Sequence, residues 1–289
     1  MNYWLHLSIM ICIYVALAQS LNLIVGYGGM LSLCHAAFCG IGAYASTILM
    51  MRAHWPFEAA VVAAVAGVSL IAWLVSFLIT RLHGDFFVLG TLGFQQIVYA
   101  ILYNWVDVTQ GQYGIPGVPR PSLFGVRVVT PGGFLILALA VSVLCGGIAW
   151  WLTASAYGRL LQAVREDPVA AQSLGKDANA IKRSAFAWAG GLAALPGVVY
   201  ATYSSYIDPT SFGLEDSILI LTMLVVGGAG NFRGPVVGAV ILVLLPELLR
   251  FLAVPDRVAP NLRQIVYGVA IVVMMRFRPQ GIAGKYAFD

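Results

Sequence analysis

Residues 57–80, FEAAVVAAVAGVSLIAWLVSFLIT, decide the fold class, because Glu58 is the one charged group in a run long enough to cross a bilayer. A hydrocarbon core asks for about 20 predominantly apolar residues per helix. The rest of the chain has the same character. It is 60% hydrophobic and 10% charged, with a mean hydropathy of +0.87, against about 45–50% apolar and about 25% charged in an ordinary soluble domain. A water-soluble fold of 289 residues would leave much of that apolar surface wet. The chain therefore reads as an all-α integral membrane protein, organised as one domain over 1–289.

Nine stretches approach the spanning standard: roughly 4–25, 34–51, 57–80, 86–104, 131–153, 182–206, 215–230, 234–254 and 262–277. The second, seventh and ninth are short or rich in glycine, so broken or re-entrant helices are expected among about nine spans (8–10). Backbone that leaves the helix at membrane depth must be buried in protein or line a cavity, since lipid cannot hydrogen-bond it. The start, Met1-Asn2-Tyr3-Trp4, carries no Lys or Arg ahead of the first apolar run, which reads as a retained helix rather than a signal peptide.

Lys and Arg placement orients the chain. Putting the basic segment 154–183 and the C-terminal tail in the cytoplasm collects ten basic residues there and six opposite, with the N-terminus outside and the C-terminus inside. The net charge of +4 is not clustered on a polar face, so it gives no nucleic-acid footprint. The external segment 105–130, rich in Gly and Pro, suits turns rather than a long helix. The cytoplasmic loop 154–181 is different. Leu160, Val164, Ala171 and Leu174 fall near one face, Asp167-Pro168 is an N-cap with proline at the first helical position, and Gly175 sits at the expected stop. A short capped surface helix over about Pro168–Leu174 follows. Such a helix rests on lipid headgroups or inserts into a groove on another protein.

Several residue types bear on chemistry. Lys176, Lys182 and Lys285 are followed by Asp177, Arg183 and Tyr286, so there is no Gly-Lys-Ser/Thr phosphate loop and any ATP is hydrolysed by a partner. Cys12, Cys34, Cys39 and Cys145 lie in apolar stretches without zinc-type spacing; Cys34-His35 with Cys39 reads as packing, not as a metal site, and no cofactor is implied. Intramembrane polar groups are functional candidates. Gln95 and Gln96 near mid-span, Ser32 and His35 at the opening of the second stretch, and Gly28 and Gly29 just before it are the possible pathway-lining residues. The glycines fit either a turn between spans or an unwound segment along the pathway. Gly230, Gly234 and Gly238 fit a tight turn feeding a closely packed helix, and Glu247 with Arg250 a local ion pair.

With these segments in place, the chain resembles the permease family of branched-chain amino-acid ABC importers, in its LivM-like branch. Leu21–Phe38 resembles the family's LNLxxGYxGxxSLGHAAF stretch, with Cys34 where glycine is usual, and Gly40-Ile41-Gly42-Ala43-Tyr44 continues it. Phe86–Gln95 resembles its fourth span, and Asn104-Trp105 with Thr109–Ile115 its NW…TGGxxGI loop, with Gln110 replacing a glycine. Gly158-Arg159 and Ala163–Gly175 resemble its coupling loop, Gly227–Gly230 with Gly234-Pro235 and Gly238 a late glycine-rich segment, and Arg278–Gly281 its end.

The resemblance implies a permease subunit in a bacterial-type inner (plasma) membrane, not an enzyme. Its partners would be a second related permease subunit, two cytoplasmic ATP-binding subunits and an external substrate-binding protein that sets most of the specificity. Arg165, Glu166, Asp167, Pro168, Ala170, Ala171, Leu174 and Gly175 would form the ATPase coupling element. The importer signature EAAxxxG aligns with Val169–Gly175, so its glutamate position holds Val169, and Glu166 lies three residues early. The small-molecule cargo implied is a branched-chain or other apolar amino acid, with urea or a short amide as the alternative. A rival class is an ion-coupled secondary transporter, which commonly buries an acid at the bilayer midplane; the sequence reading puts no carboxylate at a span centre, which counts against it. An intramembrane enzyme would need convergent catalytic groups, and His35, with no acid near it, does not supply them.

Overall fold

The computed structural model describes residues 2–82, 84–123, 125–251, 259–278 and 280–284. Its long helices are α1 (Asn2–Asn22, continued by a π-helical turn Leu23–Tyr27), α2 (His35–Arg52), α3 (Phe57–Ile79) and α4 (Asp85–Asn104). A short helix α5 (Val106–Thr109) and the strands β1 (Ile115–Pro116), β2 (Ser122–Leu123) and β3 (Val126–Arg127) follow. Then come α6 (Pro131–Ala154), α7 (Ala156–Glu166), α8 (Pro168–Ser173), α9 (Ala178–Ser204), strand β4 (Tyr206–Ile207), a 3₁₀ turn Pro209–Phe212, α10 (Leu214–Gly227), α11 (Arg233–Phe251) and α12 (Ala259–Phe277).

Nine of the described helices coincide with the nine apolar stretches, and six are both long and apolar enough to cross a membrane. These six are α1 with its π turn, α3, α4, α6, α9, and α10 with the 3₁₀ turn before it. The expected surface helix is α8, one residue shorter than read from the sequence. The loop around it holds a second helix, α7, that the sequence reading did not separate. The two are split at Asp167, whose extended backbone (φ −151°, ψ 101°) breaks the helix; Val164 and Ala171 are buried on either side of the break, while Leu174, at the C-cap of α8, is exposed.

α1 and α9 are largely buried, while α3, α4 and α6 turn most of their surface outward. α9 is the centre, packing on α2 and α3. Small residues make this possible: a Cβ on Gly42 of α2 would fall 2.7 Å from the Cα of Ala194, and one on Gly197 of α9 would fall 2.2 Å from the Cys39 carbonyl oxygen. Membrane helices have little hydrophobic drive to associate with one another, so close backbone approach supplies the packing energy. Phe38 fills the space beside this seam, with ring contacts to Phe94 and Phe186. β1 pairs antiparallel with β4, which ties the 105–130 segment to the chain leaving α9.

The glycine-rich late segment is a tight turn. Gly228 (φ +105°) and Gly230 (φ +73°) shape it, and α11 then packs so closely that a Cβ on Gly238 would fall 1.8 Å from the Met223 carbonyl oxygen. Asn22 at the end of α1 holds the turn, accepting from Gly230 N (2.9 Å) and donating to Asn231 O (3.0 Å). The tail closes over it through Ile282 N to Val226 O and Ala283 N to Gly227 O. Of the expected Glu247–Arg250 pair, the Arg250 side chain lies outside the described residues, and Glu247 accepts a hydrogen bond from Tyr3 Oη.

Candidate functional site

Helix starts differ in how their first amides are satisfied. α6, α7, α8 and α9 are each capped by their own N-cap side chain: Thr130, Ser155, Asp167 and Asp177. A local cap satisfies the first free N–H groups of a helix without outside help. α2 has no such cap. Its N-cap is Cys34, and its first amides are satisfied by other helices: Ala36 N donates to Ser217 Oγ (3.0 Å) and Ala37 N to Gln95 Oε1 (2.8 Å). Just before it, residues 28–34 are unwound, and Leu33 N donates to Thr91 Oγ1 (3.1 Å). Cys34 at the family's glycine position has φ −113°, which any residue adopts.

Gln95 is the hub of this junction. Its Oε1 also accepts from Ser217 Oγ (3.1 Å), and its Nε2 donates to Phe212 O (2.8 Å). Gln95 stands midway along α4, so these bonds bring the starts of α2 and α10 to the middle depth of a spanning helix. Asp216 adjoins Ser217 and therefore lies at the same depth. That corrects the expectation that no carboxylate falls at a span centre. The sequence reading starts the span at residue 215; the chain instead turns inward through Pro209–Phe212 before α10 begins.

Beside the junction is a cavity of about 260 Å³. Ile13, Leu17 and Ile220 supply apolar wall, and Tyr14, Tyr200, Thr210, Ser211 and Asp216 supply polar groups. Ala36 and Cys39, from the first turns of α2, also face it. Thr210 and Ser211 both donate to Asp208, and Tyr200 Oη donates to Ser211 Oγ (3.3 Å). None of the six residues expected along a pathway lines this cavity. Gln95 is fully buried as a clamp, Gln96 is exposed on the flank of α4, and Ser32 is buried against Cys34. His35 is fully buried, with its ring edge-on to that of Phe38. Gly28 and Gly29 close the π-helical turn at the head of the unwound segment, with Gly29 (φ +66°) N donating to Val25 O (3.2 Å) and Met30 N to Ile24 O (3.1 Å). The sequence signal for Asp216 is an acid in the first turn of an apolar helix, beside Glu215.

The second candidate region is α7–α8. Asp167 Oδ1 accepts from Val169 N (2.8 Å) and Ala170 N (3.0 Å), and Pro168 opens α8. Gly175 (φ +75°) closes it, with Lys176 N donating to Ala171 O (3.2 Å). Val169 and Leu174 are 69% and 80% exposed, and Ala170 is exposed beside them. Ala171 faces the other way, buried in the chain's own core, so the sequence reading of it as part of the docking face is corrected. Glu166 is exposed at the end of α7. Arg165 reaches back to the π turn and the start of the unwound segment, donating to the Gly26 carbonyl and packing its chain where a Cβ on Gly29 would stand. Tyr157 Oη bonds Ser184 Oγ (2.9 Å), fastening α7 to α9, and burial pushes its pKa up.

Residues 3–275 match the family described as "Branched-chain amino acid transport system / permease component". The chain belongs to this family. It is an ABC-type permease, a multi-pass protein of the inner membrane and a transport subunit rather than an enzyme. The high-affinity branched-chain amino acid transport system permease protein LivM of Salmonella typhimurium is 31% identical over 96% of this chain and 69% of its own length. LivM of Escherichia coli K12 is 31% identical over 93% of this chain and 67% of its own length. The autoinducer 2 import system permease protein LsrC of Yersinia pseudotuberculosis is 28% identical over 81% of this chain, so the permease family includes members with a different cargo. No solved structure matches the chain.

Proposed function

We propose that this permease carries branched-chain amino acids across the inner membrane in an importer with a second related permease, two ATP-binding subunits and an external binding protein. The likeness to the LivM permeases along more than nine-tenths of this chain carries the reading. Residues 1–289 act as one permease domain of about nine crossings, with the N-terminus outside and the C-terminus in the cytoplasm.

α8 is the coupling helix, and its exposed Val169, Ala170 and Leu174 seat in the ATPase. An exposed apolar cluster on a rigid, doubly capped helix is what a groove-docking element needs. Movement of α8 passes through α7 and the Arg165 contact to Gly26 and Gly29. From there it reaches the unwound segment and α2, whose first turns face the cavity. This gives ATP binding a mechanical route to the translocation site. Arg165, which sits inside this route, is a positioning residue.

The test is uptake by the reconstituted complex with its binding protein. Radiolabelled leucine and isoleucine should enter proteoliposomes, and labelled urea should not. Urea uptake without leucine uptake would replace the substrate class.

A further inference from the structure

We infer that the cavity between α1, α2, α9 and α10 is a substrate subsite in which Asp216 receives the ammonium group of an aliphatic amino acid while the aliphatic side chain lies against Ile13, Leu17 and Ile220. The inference rests on the amino-acid reading above and adds the place and the chemistry of recognition.

Size is the first argument. At about 260 Å³ the cavity lies just under the range of about 300–1,000 Å³ typical for drug-sized ligands, which suits a smaller molecule. Charge is the second. Among the described residues no Lys, Arg or His lies within 4.0 Å of the Asp216 carboxylate; the ion pair found is Arg183 with Asp177. Asp208, which accepts from Thr210 and Ser211 of the lining, adds a second carboxylate on this side. The carboxylate stands in the first turn of α10, where free helix amides support it, and with no cationic side chain beside it among the described residues the ligand's ammonium group is the charge it lacks. The α2 amides that could have attracted an anion are already taken by Ser217 and Gln95. Depth is the third. The carboxylate stands at the meeting of two interrupted helices, where transporters hold cargo away from both aqueous faces. The lining then divides the ligand as an amphipathic amino acid requires: carboxylate and hydroxyls at one end, aliphatic wall at the other.

The experiment uses the complete complex in nanodiscs and photo-leucine, a leucine carrying a photoreactive diazirine, with crosslinks mapped by mass spectrometry. Wild type should be labelled on the segments holding Ile13–Leu17 or Ile220. Excess leucine should suppress the labelling, and 4-methylpentanoic acid, the same chain without the ammonium group, should not. Asp216→Asn should lower labelling roughly tenfold or more, the scale of losing one charge-assisted contact, and Asp216→Glu should restore part of it. Should Asp216→Asn fail to assemble, Ile220→Phe narrows the cavity with the carboxylate intact and should lower labelling as well. Wild-type labelling in either assembled variant, crosslinks elsewhere, or equal competition by 4-methylpentanoic acid would overturn the subsite while ATP-driven leucine uptake by wild type still stood. Absence of leucine uptake by the wild-type complex would overturn both readings, and that result needs no variant.

Discussion

Gln95 shows how one side chain can hold a membrane protein's interruptions together. Its amide bridges Ala37, Phe212 and Ser217, which come from three segments. A single interhelical hydrogen bond in a membrane contributes about 0.6 kcal/mol on average. Gln95→Leu removes the partners of the Ala37 N–H and the Phe212 carbonyl, so a cost of about 2 kcal/mol is expected. The thermal midpoint of the purified complex should fall for Gln95→Leu and hold for Gln96→Leu, whose side chain is exposed; equal midpoints would remove Gln95 from this role. Gln110 gives a second residue-scale prediction. It takes the left-handed conformation (φ +60°), which favours glycine. That conformation costs a non-glycine residue about 1–2 kcal/mol, more for β-branched side chains. Gln110→Gly should be at least as stable as wild type and Gln110→Val less stable by about 1 kcal/mol or more, read from the same thermal midpoint. A stable Gln110→Val would mean the loop readily adopts another backbone.

At the scale of elements, α8 separates two predictions that the sequence alone merges. Ala171 is core and Leu174 is surface. Ala171→Trp should therefore damage the permease itself, lowering its yield and thermal midpoint, whereas Leu174→Asp should leave the permease folded and release the ATPases, as read by co-purification. A folded Ala171→Trp permease that loses its ATPases would restore the docking role to Ala171. The contrast between α8 and α2 also explains what the sequence discloses. The limits of α8 were legible because a helix in water follows local rules: Asp167 as cap, Pro168 in the first turn, Gly175 as stop. Its inward face was legible in part: Ala171 lies seven residues beyond Val164 and is buried with it, as the spacing read, whereas Leu174, at the C-cap, is exposed. The start of α2 was harder still. Its donors are met by residues 58 and 181 positions away, and no local motif reports such a partner. Asp216 was overlooked for the same reason, because the depth of α10 depends on the 3₁₀ turn before it and on the clamp at Gln95.

On the scale of the whole molecule, orientation and coupling join into one account. With native cysteines removed, a cysteine at Ser173 should react with impermeant maleimide from the cytoplasmic side alone, and one at Gln112 from the outside alone; labelling of both from one face would reverse or break the topology. The family match covers residues 3–275 and thus includes both the cavity and α8; the proposed function has the two regions act together through α7 and the unwound segment. The most direct test of that claim is ATP hydrolysis and leucine uptake measured together in proteoliposomes holding the full complex. Wild type is predicted to hydrolyse ATP faster when leucine-loaded binding protein is added and to accumulate leucine only with ATP, while Leu174→Asp loses both responses. Leucine uptake driven by an ion gradient without ATP, or wild-type stimulation in an assembled Leu174→Asp complex, would contradict it.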